Sequence, residues 1–265
     1  MLGNTFRKVK AYGPLQSSEV QYPFIRCYDL VDDCSFMCLF VKGLCGFANT
    51  LVFTTILSFA DNNINISPVE LILGYPTNVI MAYRERRSIW WKISLPLTLL
   101  VIAGSIPGAL FLKNVDTNRI KLLFGGVIIV IGLEMLFREL HTRKRKQSKG
   151  LLVIIGILSG LLCGLYGIGA LLGAYLSRVT KDSSSFKANI CVVFLAENTI
   201  RLGVYGWCGI MNADAVRQAV ILIPFMLAGL GLGMLSDRFL SEKVIRKLVM
   251  IMLIASGIAL MINSR

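Results

Sequence analysis

Histidine is nearly absent from this chain, with one residue, His141, in 265. No CxxC pair and no HExxH occurs, and there is neither a Walker loop nor a dinucleotide fingerprint after a strand. Zinc chemistry and nucleotide-driven pumping within the chain are therefore disfavoured, and no cofactor or metal is expected. The seven cysteines are odd in number and lie mostly inside apolar blocks, so a disulfide framework is not expected. Cys34 and Cys38, one helical turn apart, read as small packing residues. Residues 1–33 carry Arg7, Lys8, Lys10, Glu19 and Asp29 with Pro14 and Pro23, and lack an apolar core after the first charges. That stretch reads as a polar tail rather than a cleavable signal.

Acidic residues are also scarce, 15 against 28 lysines and arginines, for a net charge of +13. The excess does not point to nucleic acid, because the basic runs lack interleaved aromatics and a soluble fold to carry them. They lie between hydrophobic blocks instead, as in Arg84-Glu85-Arg86-Arg87 and Arg143-Lys144-Arg145-Lys146. That placement orients membrane segments and contacts anionic headgroups.

Apolar residues are what the chain has in excess: 55% of the sequence, with a mean hydropathy of +0.68. About 20 consecutive apolar residues span a bilayer core as a helix. Eight such segments are read, at roughly 34–60, 67–83, 93–112, 119–140, 150–177, 186–206, 214–236 and 243–262. The expectation is an all-α polytopic membrane protein, with the lipid bilayer as its solvent.

The segments fall into two homologous sets of four. The first membrane repeat is 34–140, the basic connecting loop 141–149 and the second repeat 150–262. Gly43-Leu44-Cys45-Gly46 aligns with Gly164-Leu165-Tyr166-Gly167, and Asn78 aligns with Asn198. Gly104 and Gly108 align with Gly229 and Gly233. The offsets stay between 120 and 125 residues (198 − 78 and 229 − 104), which argues for duplication.

The first segment of each repeat is interrupted, by Gly43, Gly46 and Asn49 in one and by Gly160, Gly164, Gly167, Gly169 and Gly173 in the other. Small-residue helix packing is one explanation. A broken or re-entrant helix is the other, with freed N–H groups facing a substrate near the midplane. Tyr75-Pro76 and Pro107 add kinks to the second and third segments.

Ionisable groups inside apolar blocks are rare and usually face a cavity. The candidates are Lys42, Glu134, Glu197 and Arg201. Glu197 and Arg201 are i and i+4, on one helix face. They are either a self-satisfied pair, or Arg201 presents its planar fork to an anion while Glu197 orients it. Asn78 and Asn198 offer amide donors, or else hydrogen-bond between helices. Lys42 adds positive potential beside the first glycine break, or snorkels to the surface. The candidate substrate site is thus Gly43, Gly46, Asn49, Asn78, Gly164, Gly167, Gly169, Asn198 and Arg201, with Glu197 and Lys42 in support.

At the glycine breaks, Gly43-Leu-Cys-Gly-Phe-Ala-Asn49 and Gly160-Leu-Leu-Cys-Gly-Leu-Tyr-Gly-Ile-Gly169 resemble the paired motifs of the TauE/SafE family of sulfite exporters. Tyr83-Arg-Glu-Arg-Arg87, Gly104-Ser-Ile-Pro-Gly-Ala109 and the basic central loop fit the same pattern. The resemblance covers residues 34–262. It implies a non-enzymatic carrier in the cell membrane, the bacterial cytoplasmic membrane, that exports sulfite or a small organosulfonate on an ion gradient. A homodimer is compatible with it. The family's triple glycine is incomplete here, reading Ala48-Asn49-Thr50 and Gly169-Ala170-Leu171. A permease for another small solute, or a membrane-embedded enzyme or scaffold, is the alternative.

Two topologies follow from the segments. Eight full crossings give parallel repeats. Re-entrant first and fifth segments give inverted repeats, and then gather Arg84–Arg87, Arg178, Lys181, Lys187 and the central loop on one side. The basic residues favour the inverted arrangement.

Overall fold

The computed structural model describes residues 28–47, 49–50, 53, 63–111, 126, 129–130, 133, 149–167, 169–180, 182–237 and 239, and single positions 244, 247, 250–251, 254, 258 and 261. Among these residues the chain is helical and has no strand. Seven helices carry the architecture: α1 (Tyr28–Cys45), α2 (Asn63–Arg84), α3 (Trp91–Phe111), α4 (Lys149–Tyr166), α5 (Ala170–Val179), α6 (Ser183–Trp207) and α7 (Ala213–Ser236). A short 3₁₀ turn, Arg86–Ser88, joins α2 to α3. The fourth and eighth hydrophobic segments, and Glu134, lie largely outside the described residues.

α3 has 21 residues and α7 has 24. At 1.5 Å per residue they are about 31 and 36 Å long, enough for a hydrocarbon core of about 30 Å. Both are apolar enough to cross a membrane. Their exposed faces carry Leu95, Leu99 and Leu110 on α3 and Val220, Leu227 and Leu235 on α7. Lipid is the solvent such a surface needs.

Two starts are capped by side chains. Asp182 accepts a 2.7 Å bond from the Ser185 N–H at α6, and Asn212 accepts one of 2.7 Å from Ala215 at α7. Each cap is worth about 1 kcal/mol. The prolines at 68, 76, 96, 107 and 224 all sit within helices.

Glycine decides how the helices pair. A Cβ on Gly104 would fall 2.2 Å from the Ile157 carbonyl oxygen, and one on Gly108 2.5 Å from that of Leu161. On the other side of the bundle, a Cβ on Gly229 would fall 2.5 Å from the Phe36 oxygen, and one on Gly233 2.2 Å from that of Phe40. Backbones this close need residues without side chains. Contact positions rise together along α3 and α4, and along α1 and α7, so each pair runs parallel. α2 and α6 run antiparallel: Ser67 meets Tyr205 at one end, and Asn189 meets the backbone of Trp90 at the other.

That second end is tied together by Asn189. Its Oδ1 accepts from the Trp90 N–H at 2.9 Å and from Ser94 Oγ at 2.5 Å. Lys187, two residues earlier on α6, pairs with Asp237 at the end of α7. The start of α6, the end of α2, the start of α3 and the end of α7 therefore share one end of the bundle.

Candidate functional site

α1 stops at Cys45 because Gly46 takes a left-handed conformation, φ 82°, and its N–H bonds back to the Lys42 carbonyl at 2.7 Å. α4 stops at Tyr166 in the same way: Gly167 has φ 69° and bonds to the Cys163 carbonyl at 2.7 Å. Only glycine adopts this geometry without steric cost. The chain resumes as α5 at Ala170, with Gly169 as its N-cap and no side-chain cap on the first N–H groups.

The space beside Gly167 holds a charge network. A Cβ on Gly167 would meet Arg201 Nη1 at 2.7 Å, Thr50 Cγ2 at 2.7 Å and Glu70 Oε2 at 3.0 Å. Arg201 is 1% exposed, a cation sealed from solvent. Its Nη1 donates to the Cys163 carbonyl at 2.6 Å. Its Nη2 donates to Glu70 Oε2 and to Asn198 Oδ1, both at 3.2 Å. The carboxylate of Glu197 stands 3.8 Å from Nε, and Nε has no hydrogen-bond partner among the described residues.

Each carboxylate has its own support. Glu70 Oε1 accepts from Asn49 Nδ2 at 2.8 Å and from the Thr50 hydroxyl. Glu197 Oε1 accepts from Ser105 Oγ at 2.7 Å. Tyr205 closes the cluster, donating to the Gly164 carbonyl at 3.1 Å and lying 3.1 Å from Ser67 Oγ. Five elements thus converge: α2, α3, α4, α6 and the stretch at 49–50.

Lys42 is buried at 1% exposure, and its Nζ reaches the Gly74 carbonyl at 3.4 Å, a long bond. It does not snorkel to a surface. Counting Lys42 and Arg201 against Glu70 and Glu197, the described network is electrically neutral when all four are ionised.

The site residues expected from sequence separate into groups. Asn49, Gly164, Gly167, Glu197, Asn198 and Arg201 come together. Lys42 and Asn78 lie along α2 from them: Asn78 shares the α2 face of Glu70 and Gly74 by i, i+4, i+8 spacing, and its buried Oδ1 has no hydrogen-bond partner among the described residues. Gly43 is elsewhere, packed on α7, where a Cβ would fall 2.7 Å from the Leu230 oxygen. Gly46 packs against the stem of Lys187, and Gly169 against the Phe194 ring.

Sequence reasoning missed Glu70, Thr50, Ser67, Ser105 and Tyr205. Glu70 had a signal: it is an ionisable residue one turn inside the second hydrophobic segment, as the four that were singled out are inside theirs. The hydroxyls had none, since serine, threonine and tyrosine are ordinary in membrane helices.

Among the described residues the chain is helical, with apolar helices long enough to cross a membrane and a charge network sealed inside, as in a membrane protein. Its family follows from comparison: the model for "Sulfite exporter TauE/SafE" matches residues 34–260, and the chain belongs to that family. It is 24% identical over 211 residues to the "probable sulfite/organosulfonate exporter TauE" of Cupriavidus necator, covering 76% of this chain and 82% of that one. A "probable membrane transporter protein" of Xylella fastidiosa is 24% identical over 222 residues, covering 77% and 83% respectively. No solved structure matches.

Proposed function

We propose that the protein is a secondary transporter, an exporter, of a small anion such as sulfite or an organosulfonate, held against Arg201 between two glycine-broken helices near the membrane midplane. The observation that carries this reading is the Nε–Nη2 edge of Arg201. That edge has the geometry for bidentate recognition of two oxygens. Here Nε has no hydrogen-bond partner among the described residues, with Glu197 3.8 Å away, and Nη2 makes only 3.2 Å bonds, although the residue is buried. Charge-assisted bonds in a satisfied pair run nearer 2.7–2.9 Å. α5 starts three residues after Gly167 with no side-chain cap and adds the positive end of a helix dipole. The named relative in Cupriavidus supplies the substrate class.

The repeats are read as inverted, with the first and fifth segments re-entrant. Support comes from the exchange of contacts between halves. Gly104 and Gly108 of the first half meet Ile157 and Leu161; Gly229 and Gly233 of the second meet Phe36 and Phe40. Each residue here is the repeat partner of its counterpart. α4 runs parallel to α3 away from the Arg86 end, yet α6 begins at that end beside Trp90. The segment containing α4 and α5 thus enters and leaves on one side, which also gathers Arg86, Arg87 and Lys187 there, as cytoplasmic loops require.

Counterflow in proteoliposomes tests the function, using sulfite, sulfate, thiosulfate, sulfoacetate and taurine. The expected result is exchange of sulfite or a sulfonate that is lost in Arg201→Ala. Exchange of none of the five would sink the reading.

A further inference from the structure

We propose that Glu70 is a resident counter-anion which the transported anion displaces from Arg201, and that a proton bound by Glu70 enters the site with that anion. This rests on the reading of Arg201 as the anion site and adds the group that couples a proton to it.

The argument begins with the guanidinium. Arg201 Nη1 is fastened at 2.6 Å to the Cys163 carbonyl, so the group has a fixed point. The remaining edge faces two carboxylates that hold it loosely, Glu70 at 3.2 Å and Glu197 at 3.8 Å. Glu197 is on the same helix as Arg201 and is tied to Ser105. It moves with Arg201. Glu70 comes from α2, so the Glu70–Arg201 contact joins the two halves of the chain and can be broken by a small displacement between them.

Charge decides what must accompany the anion. The network of Lys42, Arg201, Glu70 and Glu197 is neutral when ionised. A monovalent anion arriving there adds an uncompensated buried charge, which is strongly unfavourable. A proton on Glu70 Oε2 removes that cost. The carboxylate takes up one proton, the anion takes its place on Nη2 and Nε, and the net charge of the site is unchanged. No electrons move and no covalent bond other than the new O–H forms. Oε1 of the neutral acid still accepts from Asn49 and Thr50, so Glu70 keeps its position while its hold on Arg201 ends.

The charged and titratable groups facing Glu70 are Arg201, Glu197 and Tyr205 of α6, Lys42 of α1 and the Cys163 thiol of α4. α7 also packs on α2, but its Asp214 and Arg217 are exposed. Among these, Glu70 is the carboxylate whose neutralisation unlocks Arg201 from another helix.

The test is isothermal titration of the purified full-length protein with sulfite and with methanesulfonate, across a pH series and in two buffers of different ionisation enthalpy. Protons exchanged by sulfite itself are subtracted. The expected result is uptake of about one proton per anion, with affinity rising by up to about tenfold per unit fall in pH for one linked proton. Glu70→Gln should flatten that slope and bind the anion more tightly at high pH. Glu197→Gln leaves Glu70 on Nη2 and should keep the slope. Should Glu70→Gln not purify as a monodisperse protein, Glu70→Asp serves: the pH midpoint of uptake should move, and an unmoved midpoint overturns the proposal. So does saturable binding without proton uptake, or a slope that survives Glu70→Gln and disappears in Glu197→Gln. If neither anion binds at any pH, the anion-carrier reading itself fails, and this inference with it.

Discussion

Arg201 on α6 and Glu70 on α2 meet as a buried pair, Nη2 to Oε2 3.2 Å, across 131 positions of sequence. The pair couples α2 to α6, at a point where α4 ends on a left-handed glycine. A cation in the centre of a membrane helix costs at least about 2.5 kcal/mol on insertion scales. Its retention here implies either structural compensation or a ligand, and the two can be separated by mutation.

Arg201→Lys keeps the charge and loses the fork. The variant should insert and remain monodisperse in detergent, while the concentration of anion needed for half-maximal counterflow rises at least about tenfold, the loss of one charge-assisted bond. Arg201→Ala should lose transport. It should also lose about 3–5 kcal/mol of stability by stranding Glu70 and Glu197. Paired thermal melts and flux assays distinguish the two effects.

Removing both charges separates structure from function more sharply. Glu197→Gln with Arg201→Gln should melt closer to the parent than Arg201→Gln alone, because no carboxylate on α6 is left unpaired. Its counterflow should still be absent. Parental flux in the double variant would make the pair structural and move the anion to the backbone N–H groups of the glycine breaks.

Asn78 and Asn198, aligned with each other in sequence, differ in their neighbours. Three residues beyond Asn198 stands Arg201, which donates to its Oδ1; three beyond Asn78 stands Met81, which cannot. Asn78 Oδ1 is left without a hydrogen-bond partner among the described residues. A buried unsatisfied polar group costs about 1–3 kcal/mol. Asn78→Leu should therefore hold or raise the melting temperature while reducing flux. A fall in stability with flux unchanged would show that the amide serves packing alone.

The glycines predict opposite outcomes by position. Gly164→Ala puts a Cβ 2.2 Å from the Ser105 oxygen and should destabilise by about 1–3 kcal/mol. Gly203 on α6 has open space around it. Gly203→Ala should be neutral or stabilising by up to about 1 kcal/mol. Thermal unfolding of the two variants in one detergent checks the contrast.

Topology is open to labelling. Single cysteines at Arg86 and Ser184, both exposed, should react with an impermeant thiol reagent from one side of the membrane, and one at Trp207 from the other. A cysteine-free parent is required. Opposite accessibility of Arg86 and Ser184 would favour eight full crossings and discard the re-entrant reading.

The sequence by itself determined the solvent, the helical class and the family. Apolar blocks of spanning length admit only a bilayer, and the paired glycine motifs carry the family. It also placed Glu197, Asn198 and Arg201 together, because i+3 and i+4 spacing on one helix fixes neighbours without reference to any other helix. Gly46 and Gly167 were legible for a similar local reason, since glycine is the residue that ends a helix in the left-handed region. The partnership of Glu70 with Arg201 was decided only in three dimensions, and so was the packing of Gly43 on α7 rather than at the charge network. Both depend on which helices lie side by side and at what height. Hydropathy carries little of that information, because a membrane helix is apolar around most of its circumference and lipid rewards every orientation almost equally. Close backbone approach at the glycines and satisfaction of buried charge choose among those orientations, and both are properties of the assembled bundle.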